Sequence, residues 1–120
     1  MQTTPLQGIK VLDLTQIYQG PYASFLMAMA GAEIVKVESH VGDRIRRLGG
    51  ADTPLAFAML NSNKKCVTLD LKHPKGKALL KDMAAKADVM LENFAAGTMD
   101  RLGLGWEVMH ALNSPRHASA

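Results

Sequence analysis

Short apolar runs alternate along this chain with longer segments whose apolar residues recur at helical spacing. Runs rich in Val, Ile and Leu predict four strands, at residues 9–14, 33–38, 66–71 and 87–92. Helical segments are predicted at residues 21–30, 54–60, 74–86, 98–102 and 106–112. Strands that alternate with helices in this way predict an α/β domain with a largely parallel sheet.

Prolines and glycines mark the predicted helix ends. Pro21 and Pro74 are expected in first turns, because the ring pre-sets the helical φ, and Gly31 is expected as a left-handed helix end. The helix after Pro21 holds no charged residue, so we expect it to be buried on most sides. The helix after Pro74 is expected to turn a set of apolar residues inward: Ala78, Leu79, Met83, Ala84 and Ala87.

Domain organisation follows from the same pattern. Residues 1–112 are predicted to form one α/β domain, without an internal repeat or linker. The rhythm predicts a further apolar strand after residue 113, but residues 113–120 are polar and small. We therefore expect residues 113–120 to be a polar tail at a truncation point.

Composition narrows the class of ligand. The net charge is +3 with a sequence pI of about 9.2. An anionic small molecule fits this charge better than nucleic acid, because aromatic residues are 5% of the chain and no long basic run occurs. The single cysteine excludes a disulfide framework, and the four histidines lack metal-ligand spacing, so no metal is expected.

Location is predicted from the same features. The single cysteine fits a reducing compartment, and the N-terminus lacks a charged segment followed by an apolar run. The longest apolar stretch, residues 21–31, is shorter than the roughly 20 residues that span a bilayer. A cytoplasmic protein without membrane contact is expected.

Ligands of an open parallel sheet bind at the carboxyl ends of its strands. Three predicted loops lie there: Gln16–Pro21, the loop that begins at Glu38, and Asn93–Gly97. The helix that opens at Pro21 would direct free backbone N–H groups at an anion.

Two further polar segments leave alternatives open. Glu38 could bind a dinucleotide ribose, but the first turn lacks the Gly-x-Gly-x-x-Gly pattern, so a solvated strand end is favoured. Residues 61–65 are either a solvated loop or a clamp for phosphate and adenine. Arg44, Arg46 and Arg47 add a second basic group, which serves either phosphate binding or loop solubility.

No nucleophile or acid–base pair stands out. His40, His73, His110 and His117 are scattered, and exposed or capping roles are expected for them. Cys66 is expected to be a small core residue. Asp13 lies inside the first strand, where a strand-end hydrogen bond is favoured over a functional buried acid.

Ordered motifs over residues 5–113 resemble the N-terminal part of the family III CoA-transferases, the CaiB/BaiF type. The motifs are PLQGIKVLDL at 5–14, GPYA at 20–23, GAEIVKVE at 31–38, GD at 42–43, LNSNKK at 60–65 and ADVMLENF at 87–94, then Gly97, Leu102, Gly103 and Trp106. Each is weak alone, and their order and spacing make the set specific.

The resemblance implies a Rossmann-like domain that binds coenzyme A, in an enzyme that moves CoA between acyl-CoA and a carboxylic acid. Tyr18 and Gln19 would lie near the acyl thioester. Ser39 falls where some members carry an Arg that contacts CoA. The other implied contacts are Asn63, Lys64 and Lys65 at the adenosine and phosphate end, Asn93 and Phe94 along the CoA channel, and Arg101 at a phosphate.

The resemblance also implies a catalytic Asp that takes the acyl group as an anhydride and passes through an enzyme–CoA thioester. No Asp of this sequence corresponds to it, so no catalytic residue is predicted here and an inactive fragment is expected. Relatives form interlocked homodimers, which are not expected for so short a chain. The alternatives are a stand-alone CoA- or nucleotide-binding module and a member of the 2-methylacyl-CoA racemase type.

Overall fold

A parallel sheet forms the centre of the computed structural model, which describes residues 3–48 and 55–113. The strands in this part of the chain are β1 (Lys10–Asp13), β2 (Glu33–Glu38), β3 (Lys65–Thr68) and β4 (Val89–Leu91). They lie in the order β3-β2-β1-β4, and every pair is parallel. This order is that of the first four strands of a Rossmann sheet, and it confirms the predicted α/β class.

The helices follow the predicted order closely. They are α1 (Gln19–Met29), α2 (Leu55–Asn61), α3 (Pro74–Lys86), α4 (Thr98–Arg101) and α5 (Trp106–Leu112), with a 3₁₀ turn at Arg44–Arg47. Helix α1 begins two residues before Pro21, whereas α3 has the predicted bounds. Residue 54, predicted to open α2, and residues 114–120, predicted as a tail, lie outside the described residues.

Each face of the sheet has its own apolar core, because side chains alternate along a strand. Leu12 and Val37 pack with Leu80 of α3 and Met109 of α5. On the other face, Val11 and Ile34 pack with a set of smaller and partly buried residues that includes Ala28 of α1. On the α1 face, the carboxyl ends of β1 and β2 carry the buried side chains Asp13, Lys36 and Glu38 instead. Leu14 and Val37 of the α3 core line the cleft described below.

One prediction of burial is wrong, and a second is wrong in part. Helix α1 buries Pro21, Ser24 and Ala28, whereas Tyr22, Leu26 and Met29 are 52%, 49% and 61% exposed, so it is covered on one side by the described residues. Helix α3 buries Gly76, Leu80 and Ala84. Of its predicted inward set, Ala84 and Ala87 are buried and Met83 packs against the core, whereas Ala78 and Leu79 are exposed.

Two glycines are required by local geometry. Gly31 has φ +104°, which confirms the predicted left-handed end of α1. At Gly20, a Cβ atom would lie 2.2 Å from Cβ of Thr15. The loop after β1 therefore lies directly against the first turn of α1, and this contact tolerates no side chain at position 20.

Candidate functional site

A cleft runs along the edge of the sheet where the strands end, and we call it the carboxyl-edge cleft. Its cavity volume is about 430 Å³, within the range of sites for small ligands. Its apolar lining comprises Leu14, Val37, Val41, Leu69, Leu71, Phe94 and Leu102. Its polar lining comprises Gln16, Glu38, Ser39, His40, Asp70, Lys72 and Thr98. An apolar wall with a few polar groups is typical of sites for small organic ligands.

Asn93 joins the loops that follow β1 and β4. Its Oδ1 accepts from the Gln16 N–H at 2.9 Å, and its Nδ2 donates to the Gln16 carbonyl at 2.9 Å. The strand order reverses at this point, because β2 and β3 lie on one side of β1 and β4 lies on the other. Ligands of open α/β sheets bind where the strand order reverses. Because the Asn93 amide is used in these two bonds, its observed role is to fix the backbone of Gln16.

A buried ion pair joins β1 to the residue before β3. The side chains of Asp13 and Lys64 are both 0% exposed, and Lys64 Nζ lies 3.2 Å from Asp13 Oδ2. Lys64 also donates to the Pro21 carbonyl at 2.9 Å and to Asn61 Oδ1 at 2.8 Å. Burial lowers the pKa of Lys64, while the Asp13 carboxylate acts to raise it.

Asp13 accepts three more hydrogen bonds. They come from the Thr15 N–H at 2.8 Å, from the Thr15 hydroxyl, and from Ser24 Oγ at 2.5 Å. The strand-end hydrogen bond predicted for Asp13 is therefore confirmed, and the ion pair with Lys64 is added to it. Lys64 was predicted to contact phosphate, but its ammonium is enclosed by protein oxygen atoms, so the structure gives it an internal role.

A second buried ion pair lies beside the first. Lys36 Nζ is 3.0 Å from Asp43 Oδ2, and both side chains are 0% exposed. The contact is ionic in character, because its angles do not meet the geometry of a hydrogen bond. Lys36 also donates to the Thr15 carbonyl at 2.8 Å. A lysine in the middle of an apolar strand is thus neutralised where the strand passes beneath the β1–α1 loop.

Glu38 is a buried structural acid, so the favoured solvated strand end is wrong. Its two oxygens accept from Arg46 Nη2 and Nε, each at 2.7 Å, and Oε2 also accepts from the Asp43 N–H at 2.8 Å. Burial acts to raise the pKa of Glu38, but the Arg46 guanidinium and the Asp43 N–H hold it below its usual value. A carboxylate used in this way is not free to bind a ribose, which argues against a dinucleotide site.

Arg46 is likewise used within the protein. Besides its fork on Glu38, its guanidinium carbon lies 3.6 Å from the centre of the Phe57 ring. The hydrogen bond to Glu38 raises the pKa of Arg46. Arg47 donates to the Val41 carbonyl at 2.5 Å. Arg46 and Arg47 therefore stabilise their own loop through bonds within the protein. This role differs from both of the predicted alternatives, phosphate binding and loop solubility.

The residues predicted for CoA binding fall into two places. Tyr18 and Gln19 are exposed where α1 begins, and Phe94 lines the carboxyl-edge cleft. Arg101 donates to Oγ1 of Thr98, which also lines the cleft, at 3.1 Å. By contrast, Asn63, Lys64 and Lys65 lie at the amino end of β3, where Lys65 is 3.7 Å from Glu33.

Lys72 lines the carboxyl-edge cleft and brings a positive charge to it, although the sequence analysis did not predict it as a site residue. The third strand was predicted to run through Leu71, but β3 ends at Thr68, so residues 69–72 form the wall of the cleft. Asp70 fixes this turn by accepting from the Lys72 N–H at 2.9 Å. The Asp–Leu–Lys–His–Pro sequence was the available signal, since Asp favours turns and His–Pro precedes a helix.

Two other sequence expectations are resolved by the structure. Cys66 is exposed, so the predicted core position is wrong, and β3 is an edge strand with most residues in solvent. His73 caps α3 by accepting from the Lys75 N–H at 3.1 Å, as expected for a capping histidine.

In the part of the chain that the structure describes, His, Cys, Asp and Glu do not assemble in groups of three or more that could hold a metal ion. Within the same residues, every helix is too short or too polar to cross a bilayer.

Comparison with known proteins identifies the family. A model of CoA-transferase family III matches residues 6–116. A formyl-CoA:oxalate CoA-transferase of Bradyrhizobium sp. (strain ORS 278) is 42% identical over 116 residues, which cover 92% of this chain and 27% of the relative. A second, from Streptomyces avermitilis, is 42% identical over 115 residues, which are 92% of this chain and 28% of that protein.

Solved structures agree with this assignment. A hypothetical protein from Mycobacterium tuberculosis matches with a TM-score of 0.91 and 37% identity over 99% of this chain and 33% of its own. A CaiB/BaiF family protein from Brucella suis gives 0.87 and 35% identity over 93% of this chain and 32% of its own. The chain spans 27% to 28% of the length of the curated relatives above. With most of its residues matched by the family model, the chain belongs to CoA-transferase family III.

Proposed function

We propose that this chain forms the CoA-binding α/β unit of an enzyme that transfers CoA between an acyl-CoA and a carboxylic acid. The observation that carries the proposal is the carboxyl-edge cleft in a chain of this family. Its apolar wall suits the pantetheine arm, and its position matches the ligand edge of open α/β sheets.

The anionic end of CoA requires cations at the cleft. Lys72 lines it, and Arg101 is bonded to Thr98 of its lining. Both side chains belong to exposed residues, so each can approach a phosphate without losing a buried partner. We propose Lys72 and Arg101 as the phosphate contacts, with Phe94 along the channel and Tyr18 and Gln19 near the thioester.

The predicted contacts at the amino end of β3, Asn63, Lys64 and Lys65, carry less weight in the proposal. Lys64 is enclosed, and Asn63 donates to the Ala28 carbonyl at 3.3 Å. Lys65 remains a candidate phosphate contact, because its side chain is 76% exposed and its ion pair with Glu33 is long.

The cleft supplies binding groups and no ready nucleophile among its described carboxylates. Glu38 is held by Arg46 and Asp43, and Asp70 accepts from the Lys72 N–H. We therefore propose that this unit binds and orients the thioester, while attack requires a carboxylate that these residues do not provide. The named relatives make formyl-CoA and oxalate the first substrates to test. A cytoplasmic location is also proposed, on the single cysteine of the sequence.

Titration calorimetry with CoA and acetyl-CoA tests the proposal. We expect saturable one-to-one binding, weakened about tenfold or more in Lys72→Ala, since a charged hydrogen bond contributes about 1.5–3 kcal/mol. Lys65→Ala should weaken Kd less than Lys72→Ala does, and Lys86→Ala on the last turn of α3 serves as a charge-matched control. A larger loss in Lys65→Ala than in Lys72→Ala would move the ligand away from the cleft. No saturable binding by the folded wild type would refute the proposed function for this chain.

A further inference from the structure

The loop between β1 and α1 contains a strained residue. Ile17 has φ +74°, a left-handed conformation that β-branched residues rarely adopt. Such outliers persist where the surrounding structure determines the backbone from several sides, and they cluster at functional sites. The loop bears the proposed ligand contact Tyr18, and its Gln16 lines the cleft.

Three neighbouring residues fix the loop backbone. Lys36 donates to the Thr15 carbonyl at 2.8 Å, and Asn93 binds both the N–H and the carbonyl of Gln16. Asp43 Oδ1 accepts from the Ile17 N–H at 3.0 Å. The bond from Asp43 reaches the strained residue itself, so it acts where the loop has its least favourable conformation.

Asp43 is held firmly enough to impose this conformation. Its Oδ1 also accepts from the Ile45 N–H at 3.1 Å, and its own N–H donates to Glu38 Oε2 at 2.8 Å. Its second oxygen faces the Lys36 ammonium at 3.0 Å, inside the protein. The carboxylate is therefore fixed in place by contacts on both of its oxygens and on its backbone.

We propose that Asp43, paired with Lys36, is a positioning residue for the acyl-CoA site. Through the Ile17 N–H it holds the β1–α1 loop so that Gln16 and Tyr18 are presented to the ligand. The inference rests on the proposed function and deepens it. A buried ion pair with no such role could be exchanged for uncharged residues without effect on ligand binding, whereas here the acceptor oxygen itself is required.

Two charge-neutral double variants separate these possibilities. Lys36→Gln with Asp43→Asn removes both charges and keeps an acceptor for the Ile17 N–H. Lys36→Gln with Asp43→Leu removes the same charges and the acceptor. The urea midpoint reports folding, amide exchange of Ile17 reports the loop, and calorimetry reports Kd for CoA.

We expect the Asn variant to bind CoA within about threefold of wild type and to retain slow exchange at Ile17. At a comparable urea midpoint, the Ile17 amide of the Leu variant should exchange about tenfold faster or more. The Leu variant should also bind CoA about tenfold more weakly or more. Each change is the one expected for loss of one charged hydrogen bond. Equal Kd values in the two folded variants would overturn the inference.

If the Leu variant does not fold, the wild type and the Asn variant still test the inference. Ile17 must be protected at least about tenfold over an unstructured amide in both, which corresponds to about 1.4 kcal/mol, and the Asn variant must keep the wild-type Kd. Fast exchange at Ile17 in the wild type would overturn the inference. Absence of CoA binding by the wild type would overturn the proposed function, while the exchange comparison would still show whether Asp43 sets the loop.

Discussion

Replacing Lys64 by Met should destabilise the protein strongly, although the residue was first expected to bind a ligand at the surface. The substitution removes an ammonium that is enclosed by Asp13, Pro21 and Asn61, at 3.2, 2.9 and 2.8 Å. Loss of one partner of a buried ion pair costs about 3–5 kcal/mol, because the other charge stays buried. Asp13 keeps its bonds from Thr15 and Ser24, so we expect the lower end, about 3 kcal/mol.

Urea denaturation followed by circular dichroism measures this change directly. For a domain of this size the loss corresponds to a Tm lower by about 12 °C. Lys65→Met is the matched control, because the neighbouring lysine is exposed and its loss should cost about 0.5 kcal/mol or less. Adding Asp13→Asn to Lys64→Met should recover at least about half of the loss, since no unpaired charge remains buried. A loss below about 1 kcal/mol for Lys64→Met alone would show that its ammonium is not enclosed, and would return Lys64 to the list of ligand contacts.

Three further predictions concern the loops, the pH response and the chemistry. Asn93→Ala removes both bonds to Gln16 and should lower the free energy of unfolding by about 1–2 kcal/mol in urea titrations; an unchanged midpoint would mean that water replaces the amide fully. Because the folded-state pKa of Glu38 is lowered, its contribution to stability is present above about pH 4.5 and is lost as pH falls through the folded value. Glu38→Gln should therefore flatten stability against pH in this acidic range, and an identical pH slope in wild type and variant would contradict the pairing with Arg46. Incubation of the chain with formyl-CoA and oxalate should yield no oxalyl-CoA by chromatography. A measurable rate would show that this chain holds a nucleophile after all.

The strand and helix order could be predicted because it depends on local periodicity. The run Glu33–Glu38 was predicted to the residue, and α3 likewise, since a proline begins the helix. The end of β3 was missed because apolar alternation continues through Leu71, although pairing with β2 stops at Thr68. Alternation indicates a strand, but only the partner strand decides where its hydrogen bonding ends.

The site could be predicted in position but not in its contacts. Sheet topology located the carboxyl edge correctly, and Phe94 lies there. The ion pairs were missed because Asp43 follows Lys36 by seven residues and Lys64 follows Asp13 by fifty-one, and no local pattern links such charges. A lysine within an apolar strand was nevertheless a usable signal, since a charge at a buried position requires a partner.

The exposed thiol of Cys66 has a practical consequence. It is the single cysteine of the sequence, and it lies on the edge strand β3 beside Lys36 in the strand register. Although the residue is exposed overall, partial burial of the sulfur raises the pKa of the Cys66 thiol, so alkylation should be slow at neutral pH and faster in mild alkali. Maleimide chemistry would then place one fluorophore or spin label on a strand whose next residues, Leu69 to Lys72, wall the cleft. The wild-type protein thus carries its own attachment point for a spectroscopic reporter of ligand entry, without any engineered substitution.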